Sequence, residues 1–237
     1  MTTELYILLL TTISIAFFHT LAGPDHYLPF IVMAKARNWP HIKTSWITFL
    51  CGIGHIGGSV VLAFIGIAFG VAVFKVQLFE SYRGDLAALL FTGFGLVYLV
   101  WGLRKAYKNK PHKHIHIHSD GEVHMHEHTH TDEHTHVHSK EGKANITPWV
   151  LFVIFVLGPC EPLIPLLMYP AAKGNYKELV IITLVFGIIT IVTMMTLVLF
   201  ASYGLKLLPV KRMERYTHAL AGGSIFVCGL GILFLGL

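Results

Sequence analysis

Six side chains stand isolated in apolar sequence: His19, Asp25, His26, His55, Cys160 and Glu161. Each can hold or pass a proton. Imidazole with carboxylate also suits borderline divalent ions such as Ni, Co, Zn, Fe or Mn. His19 precedes His26 by seven residues, about two helical turns, so an unbroken helix would show both on one face. Most of these groups fall in or beside two short motifs, GPDHYLP (23–29) and GPCEPLIP (158–165). Proline removes a backbone donor and clashes with the preceding turn, so each motif predicts a broken helix. The carbonyls freed there must be buried in protein or line a cavity. A carboxylate at mid-membrane costs about 2.5–3.5 kcal/mol on insertion scales. Asp25 and Glu161 therefore call for a cation, a proton or a basic partner, and no Lys or Arg lies near them in the apolar runs. We read His19, Asp25, His26, His55, Glu161 and Cys160 as metal ligands, with Glu161 also able to carry a proton. Cys51 and Cys228 read as small core residues, and His218, beside Arg215, as interfacial.

The elements that position these groups follow from composition. The chain has 237 residues, 54% of them hydrophobic, and only 13% charged. Ordinary soluble domains carry about 25% charged residues, and the mean hydropathy is +0.63. A soluble enzyme, a disordered chain and a disulfide scaffold are excluded; three isolated cysteines make no framework. The net charge of +5 forms no groove-sized patch and reads as a topology signal rather than as nucleic-acid binding. Six stretches are long and apolar enough to span a bilayer: about 5–24, 44–73, 85–103, 148–171, 178–203 and 217–237. No basic region precedes the first, so a cleaved signal peptide is not expected. Fourteen Lys and Arg fall in loops 1, 3 and 5, against four in loops 2 and 4. The positive-inside rule then places the odd loops in the cytosol and both termini outside, in a cytoplasmic (inner) membrane. Gly54/Gly58 and Gly66/Gly70 read as tight helix packing.

A shift of 135 positions aligns the halves. Gly23-Pro24 falls on Gly158-Pro159, and ITFLCGIGHI (47–56) falls on ITLVFGIITI (182–191). Span 3 matches span 6 at a shift of 128. Three spans duplicated must enter from opposite sides, which makes an inverted repeat, and such repeats with broken helices mark alternating-access transporters. The predicted fold is all-α: six transmembrane helices as two inverted three-helix repeats, 1–104 and 147–237, with helices 1 and 4 broken by proline. The alignment sets Asp25 on Cys160, His26 on Glu161 and His55 on Thr190.

Between the repeats, residues 105–146 form a polar insert that holds eleven of the sixteen histidines: His112, His114, His116, His118, His124, His126, His128, His130, His134, His136 and His138. Such tracts read compositionally as metal-binding. The insert has no core pattern, so we expect it to be disordered without metal and to capture ions in the cytosol.

HTLAGPDH (19–26), GHIGGS (54–59) and the histidine-rich loop between two halves resemble the nickel/cobalt transporter superfamily, over nearly the whole chain and most closely its efflux branch. That family carries His, four residues, then Asp-His; here five residues separate His19 from Asp25. The resemblance implies that His19, Asp25 and His26 select and bind the ion and that His55 matches a later membrane histidine. GPCEPLIPLL also resembles the proline–cysteine break of membrane thiol–disulfide electron carriers, which use a cysteine in each half; here Asp25 stands where the first would align.

The expected function is transport of a divalent transition metal, Ni²⁺ or Co²⁺ by resemblance and Zn²⁺ or Fe²⁺ by donor chemistry, with export favoured, by alternating access. Protons are a candidate coupling ion, the bilayer is the expected partner, and neither an enzymatic reaction nor a prosthetic group is expected. Two alternatives stay open: a transmembrane thiol or electron carrier using Cys160, and a metal-accessory membrane protein without flux of its own.

Overall fold

A computed structural model describes residues 3–108, 112–117, 123–128, 147–207 and 215–235. The apolar runs fold as α1 (Thr3–Ala22), a 3-10 turn at Pro24–His26, α2 (Leu28–Ala36), α3 (His41–Ala68), α4 (Val73–Lys108), α5 (Thr147–Leu157), α6 (Leu163–Ala172), α7 (Tyr176–Leu207) and α8 (Thr217–Leu235). Between α4 and α5, β1 (His112–Ile117) and β2 (Val123–His128) pair antiparallel. The register sets His112 opposite His128, His114 opposite His126 and His116 opposite His124. His118, His130, His134, His136 and His138 lie outside the described residues.

Among the described residues, α1, α3, α4, α7 and α8 are each long and apolar enough to cross a membrane. Large apolar side chains face outward along them, Phe18, Val97, Phe200 and Phe234 among the most exposed. This is an integral, multi-pass membrane protein whose exposed surface is suited to lipid. The expected fourth span, 148–171, is not one helix. It is divided into α5 and α6, each too short to span alone, because Pro159 and Pro162 stand in the gap between them. The expected second loop is corrected as well. Arg83 and Lys75, counted there as loop charges, lie inside α4, which runs for 36 residues.

Each half is thus a helix, a break, a second helix and two long helices. The two broken units run in opposite directions. Arg37, at the end of α2, donates to the Thr147 hydroxyl at the start of α5 (3.1 Å), whereas Lys173, at the end of α6, donates to Glu4 at the start of α1 (2.8 Å). That hydrogen bond pushes the Lys173 ammonium pKa up from its ordinary value. Packing is exchanged between halves: α1 lies on α7 and α5 on α3, while α2 touches α8 and α6 touches α4.

Glycine brings α4 and α8 into backbone contact. A Cβ on Gly95 would overlap the backbone of Phe226, and one on Gly222 the backbone of Leu99. The pairing is antiparallel and continues at Gly102 against Ala219 and at Gly229 against Thr92. Overpacking of a tight interface costs about 1–3 kcal/mol, so Gly222→Ala should lower thermal stability in detergent by that amount. Gly93→Ala is the control, since a Cβ there would meet nothing within 4 Å among the described residues, and it should leave stability within about 0.5 kcal/mol. The tight-packing expectation fits Gly54, Gly58 and Gly66, which face Val156, Arg83 and Val76. Gly70 differs: it has φ +60° in the turn after α3, with open space around it.

Candidate functional site

The site forms where the two breaks meet α3. α1 ends at Ala22, and Gly23, with the Gly23 N–H bonded to the His19 carbonyl (3.0 Å), turns the chain into the short 3-10 segment. That turn, rather than an unbroken helix face, swings His26 back toward His19, and their ring centroids are 4.8 Å apart. His55 comes from the middle of α3, with its ring 4.9 Å from that of His26. His19, His26 and His55 each offer a nitrogen, and these atoms all lie within 4.8 Å of one another.

His26 and His55 are buried, each 3% exposed, and the Nε2 atom of each has no hydrogen-bond partner among the described residues. A buried, unpaired ring nitrogen is costly, so both are available for a proton or an ion. Asp25 explains the orientation of His26. Its Oδ1 lies 3.1 Å from Nδ1, which is also 3.2 Å from the Gly23 carbonyl. Two acceptors there favour an N–H on Nδ1 and leave Nε2 as the lone-pair nitrogen. This is the carboxylate–histidine arrangement that fixes tautomer and ring direction at metal sites. Asp25 thus stands behind the histidines instead of joining their cluster.

The second break supplies Cys160, fully buried, with Sγ 4.0 Å from His19 Nε2. The Cys160 N–H donates to Ser59 Oγ (3.1 Å), and its carbonyl accepts from the Leu163 N–H (3.0 Å). Glu161, expected beside it as a ligand, is exposed and outside the histidine cluster. The bend after Cys160 turns the next side chain outward, so the repeat partners His26 and Glu161 are not spatially equivalent. Thr190, which aligns with His55, is fully buried, with a hydroxyl unpartnered among the described residues. Cys51 and Cys228 are buried core residues, and all three cysteines are unpaired. His218 lies away from the site, between the Tyr98 hydroxyl (2.8 Å) and Lys105 (3.2 Å).

Two residues escaped the sequence reading. Glu80 and Arg83 sit one turn apart on α4, with Arg83 Nη1 donating to Glu80 Oε1 at 2.7 Å. The Glu80 side chain is fully buried. Arg83 Nη2 donates to the carbonyls of Val156 (3.0 Å) and Gly158 (3.1 Å). These lie at the break: Pro162 has no N–H for the Gly158 carbonyl, and the Cys160 N–H that would serve Val156 in a helix goes to Ser59 instead. Gly58 leaves room for the guanidinium, since a Cβ there would meet Nη2 at 2.6 Å. Gly84 lets Pro159 approach α4 to 2.9 Å of the corresponding Cβ position. An acid and a base three residues apart are a recognisable helix signal, hidden here because the charges were read as a loop.

A family profile described as the cytochrome c biogenesis protein transmembrane region matches residues 29–231. Comparisons with curated proteins and with solved structures give no match. The matched stretch contains His55, Glu80, Arg83 and Cys160, and it begins after His19, Asp25 and His26. It overturns the assignment to the nickel/cobalt transporters, and with it the reading of divalent-metal transport. The resemblance of the proline–cysteine break to thiol–disulfide carriers agrees with the family instead. The match spans most of the chain and includes both long-helix pairs and the second break. The protein belongs to the cytochrome c biogenesis protein transmembrane region family.

Proposed function

We propose that the protein carries thiol-linked reducing equivalents within the membrane and that Cys160 is its exchanging group. The observation that supports this most is the Cys160 Sγ–His19 Nε2 approach of 4.0 Å at a broken helix. A thiol exchanges as its thiolate, and a neighbouring base is what activates it. In the exchange, His19 Nε2 takes the Cys160 proton and the sulfur attacks one sulfur of an acceptor disulfide. The acceptor S–S bond breaks, its other sulfur leaves as a thiolate, and Cys160 is left in a mixed disulfide. A donor thiolate then attacks the acceptor-side sulfur of that bond and releases the Cys160 thiolate, which regains its proton from His19. The second thiol of the donor attacks the donor-side sulfur, closing the donor disulfide and freeing the acceptor as a dithiol. Net, one disulfide is reduced and one dithiol oxidised. No second cysteine is needed in the chain, which suits Asp25 at the position aligned with Cys160.

Cys160 is closed off in this conformation, so exchange requires the helices around the breaks to part. We infer that the oppositely directed broken units form an inverted repeat of six membrane-crossing units, with the cation-rich end (Lys35, Arg37, Lys43, Lys105) facing the cytosol of a cytoplasmic membrane. Three single-cysteine variants test the exchange. With an aromatic disulfide in detergent, the Cys160-only protein should react about tenfold faster than the Cys51-only or Cys228-only proteins. Cys228 is the most exposed of the three, at 7%, so exposure alone would favour it. A Cys160 rate no higher than the Cys51 rate would sink the proposal.

A second reading has its own support. Three imidazoles with a nitrogen each within 4.8 Å of the others, two of them on rings whose Nε2 is unpartnered among the described residues, suit a resident transition-metal ion. Ligand bonds of about 2.0–2.1 Å would need the rings to close in by roughly an ångström. The cluster would then hold metal, with Asp25 orienting His26 from behind. Asp25→Asn should weaken Zn²⁺ binding about 10–100-fold by calorimetry, and an unchanged affinity would count against this role. Because His19 serves both readings, saturating Zn²⁺ should also suppress the Cys160 exchange rate.

A further inference from the structure

The connection between α4 and α5 carries β1 and β2, which pair as a two-stranded sheet. Its register opposes residues of one kind or of opposite charge at every step. His112 stands opposite His128, His114 opposite His126 and His116 opposite His124. Between them Lys113 stands opposite Glu127, Ile115 opposite Met125 and Ile117 opposite Val123. Successive residues of a strand belong to opposite faces, so the six histidine positions share one face and the charged and apolar positions share the other. A slip of one residue would exchange the faces of one strand and set every histidine opposite a residue of another type. All six pairs therefore specify the same register.

Positions directly across such a ladder stand about 4.5–5.5 Å apart at Cβ. Neighbouring pairs on one face follow at about 6.8 Å, two residues of rise. Two neighbouring pairs thus bring four histidine positions around one point, the number and donor type of a closed tetrahedral Zn²⁺ shell. Three pairs make two overlapping sets of four, and His114 with His126 belongs to both. A two-stranded hairpin is marginal in water by itself, so an ion held across the strands and the pairing of the strands stabilise each other. This group is separate from His19, His26 and His55, which come from α1, the 3-10 turn and α3.

We propose that the face shared by the three histidine pairs of β1 and β2 is a binding site for a borderline divalent transition-metal ion, with Zn²⁺ as its type. The register, rather than the number of histidines, makes the site. The test titrates the full chain in neutral detergent with Zn²⁺ by calorimetry. His114→Gln/His126→Gln removes the pair common to both sets and should weaken binding at least about tenfold, since half of each four-coordinate shell is lost. His112→Gln/His128→Gln should cost less, because the other set remains. His134→Gln/His138→Gln removes as many histidines outside β1 and β2 and should leave the affinity unchanged. The membrane cluster is intact in every arm, so differences between arms report the hairpin. Equal losses in the His114/His126 and His134/His138 variants would overturn the proposal, since composition alone would then hold the ion. Wild-type affinity in the His114/His126 variant would overturn it too. Should that variant fail to fold, a His112/His128 variant that binds no more weakly than the His134/His138 variant has the same force.

Discussion

Arg83→Met should lower the stability of the protein in detergent by about 3–5 kcal/mol, the cost of leaving a buried charge without its partner. Glu80 is fully buried; the Ser59 hydroxyl and the Cys160 N–H lie near its carboxylate, but among the described residues Arg83 is the one cation acting on it. The same substitution strips donors from the Val156 and Gly158 carbonyls. Glu80→Gln should cost less, because an amide oxygen still accepts from Arg83. The double variant Glu80→Met/Arg83→Met should be less damaging than the sum of the two single methionine variants, since a buried pair removed together leaves no stranded charge. Denaturant titration followed by circular dichroism measures all four. A loss under about 1 kcal/mol for Arg83→Met would mean that the pair does not hold the break.

His19→Ala should slow disulfide exchange at Cys160 about 10²-fold, the lower end of what a positioned base contributes. The thiol would remain in place, since Ser59 and Leu163 hold the Cys160 backbone, but its proton would lose its nearest acceptor. His55→Ala should have a smaller effect on the rate, because His55 meets His26 rather than the sulfur. Stopped-flow measurement on Cys160-only backgrounds separates the two. Equal losses in both variants would point to a collapsed site instead of a specific base.

The proline motifs showed both breaks in advance, because Gly-Pro within an apolar run has few other meanings. The apolar background likewise singled out His19, Asp25, His26 and His55, and the fold gathers three of those four around one point. Glu161 was misplaced because alignment cannot show which way a side chain leaves a bend. Glu80 and Arg83 were missed for the opposite reason. Their charges interrupt the hydropathy of α4 and so looked like a loop, yet one neutralises the other and the guanidinium serves the carbonyls of a different helix. That requirement becomes visible only when α5 is packed beside α4. The histidine excess drew the functional reading toward metal transport, whereas the family match covers residues 29–231 and with them the Cys160 break.

Vesicles bearing the purified protein test the central claim most directly. They would enclose a membrane-impermeant aromatic disulfide, with reduced glutathione added only outside. Attack by Cys160 releases a coloured thiolate inside, and external glutathione then takes the bound half and returns the cysteine. The account predicts colour that depends on external glutathione, exceeds one equivalent per protein and is absent with Cys160→Ala. Equal colour with the wild type and Cys160→Ala would contradict it.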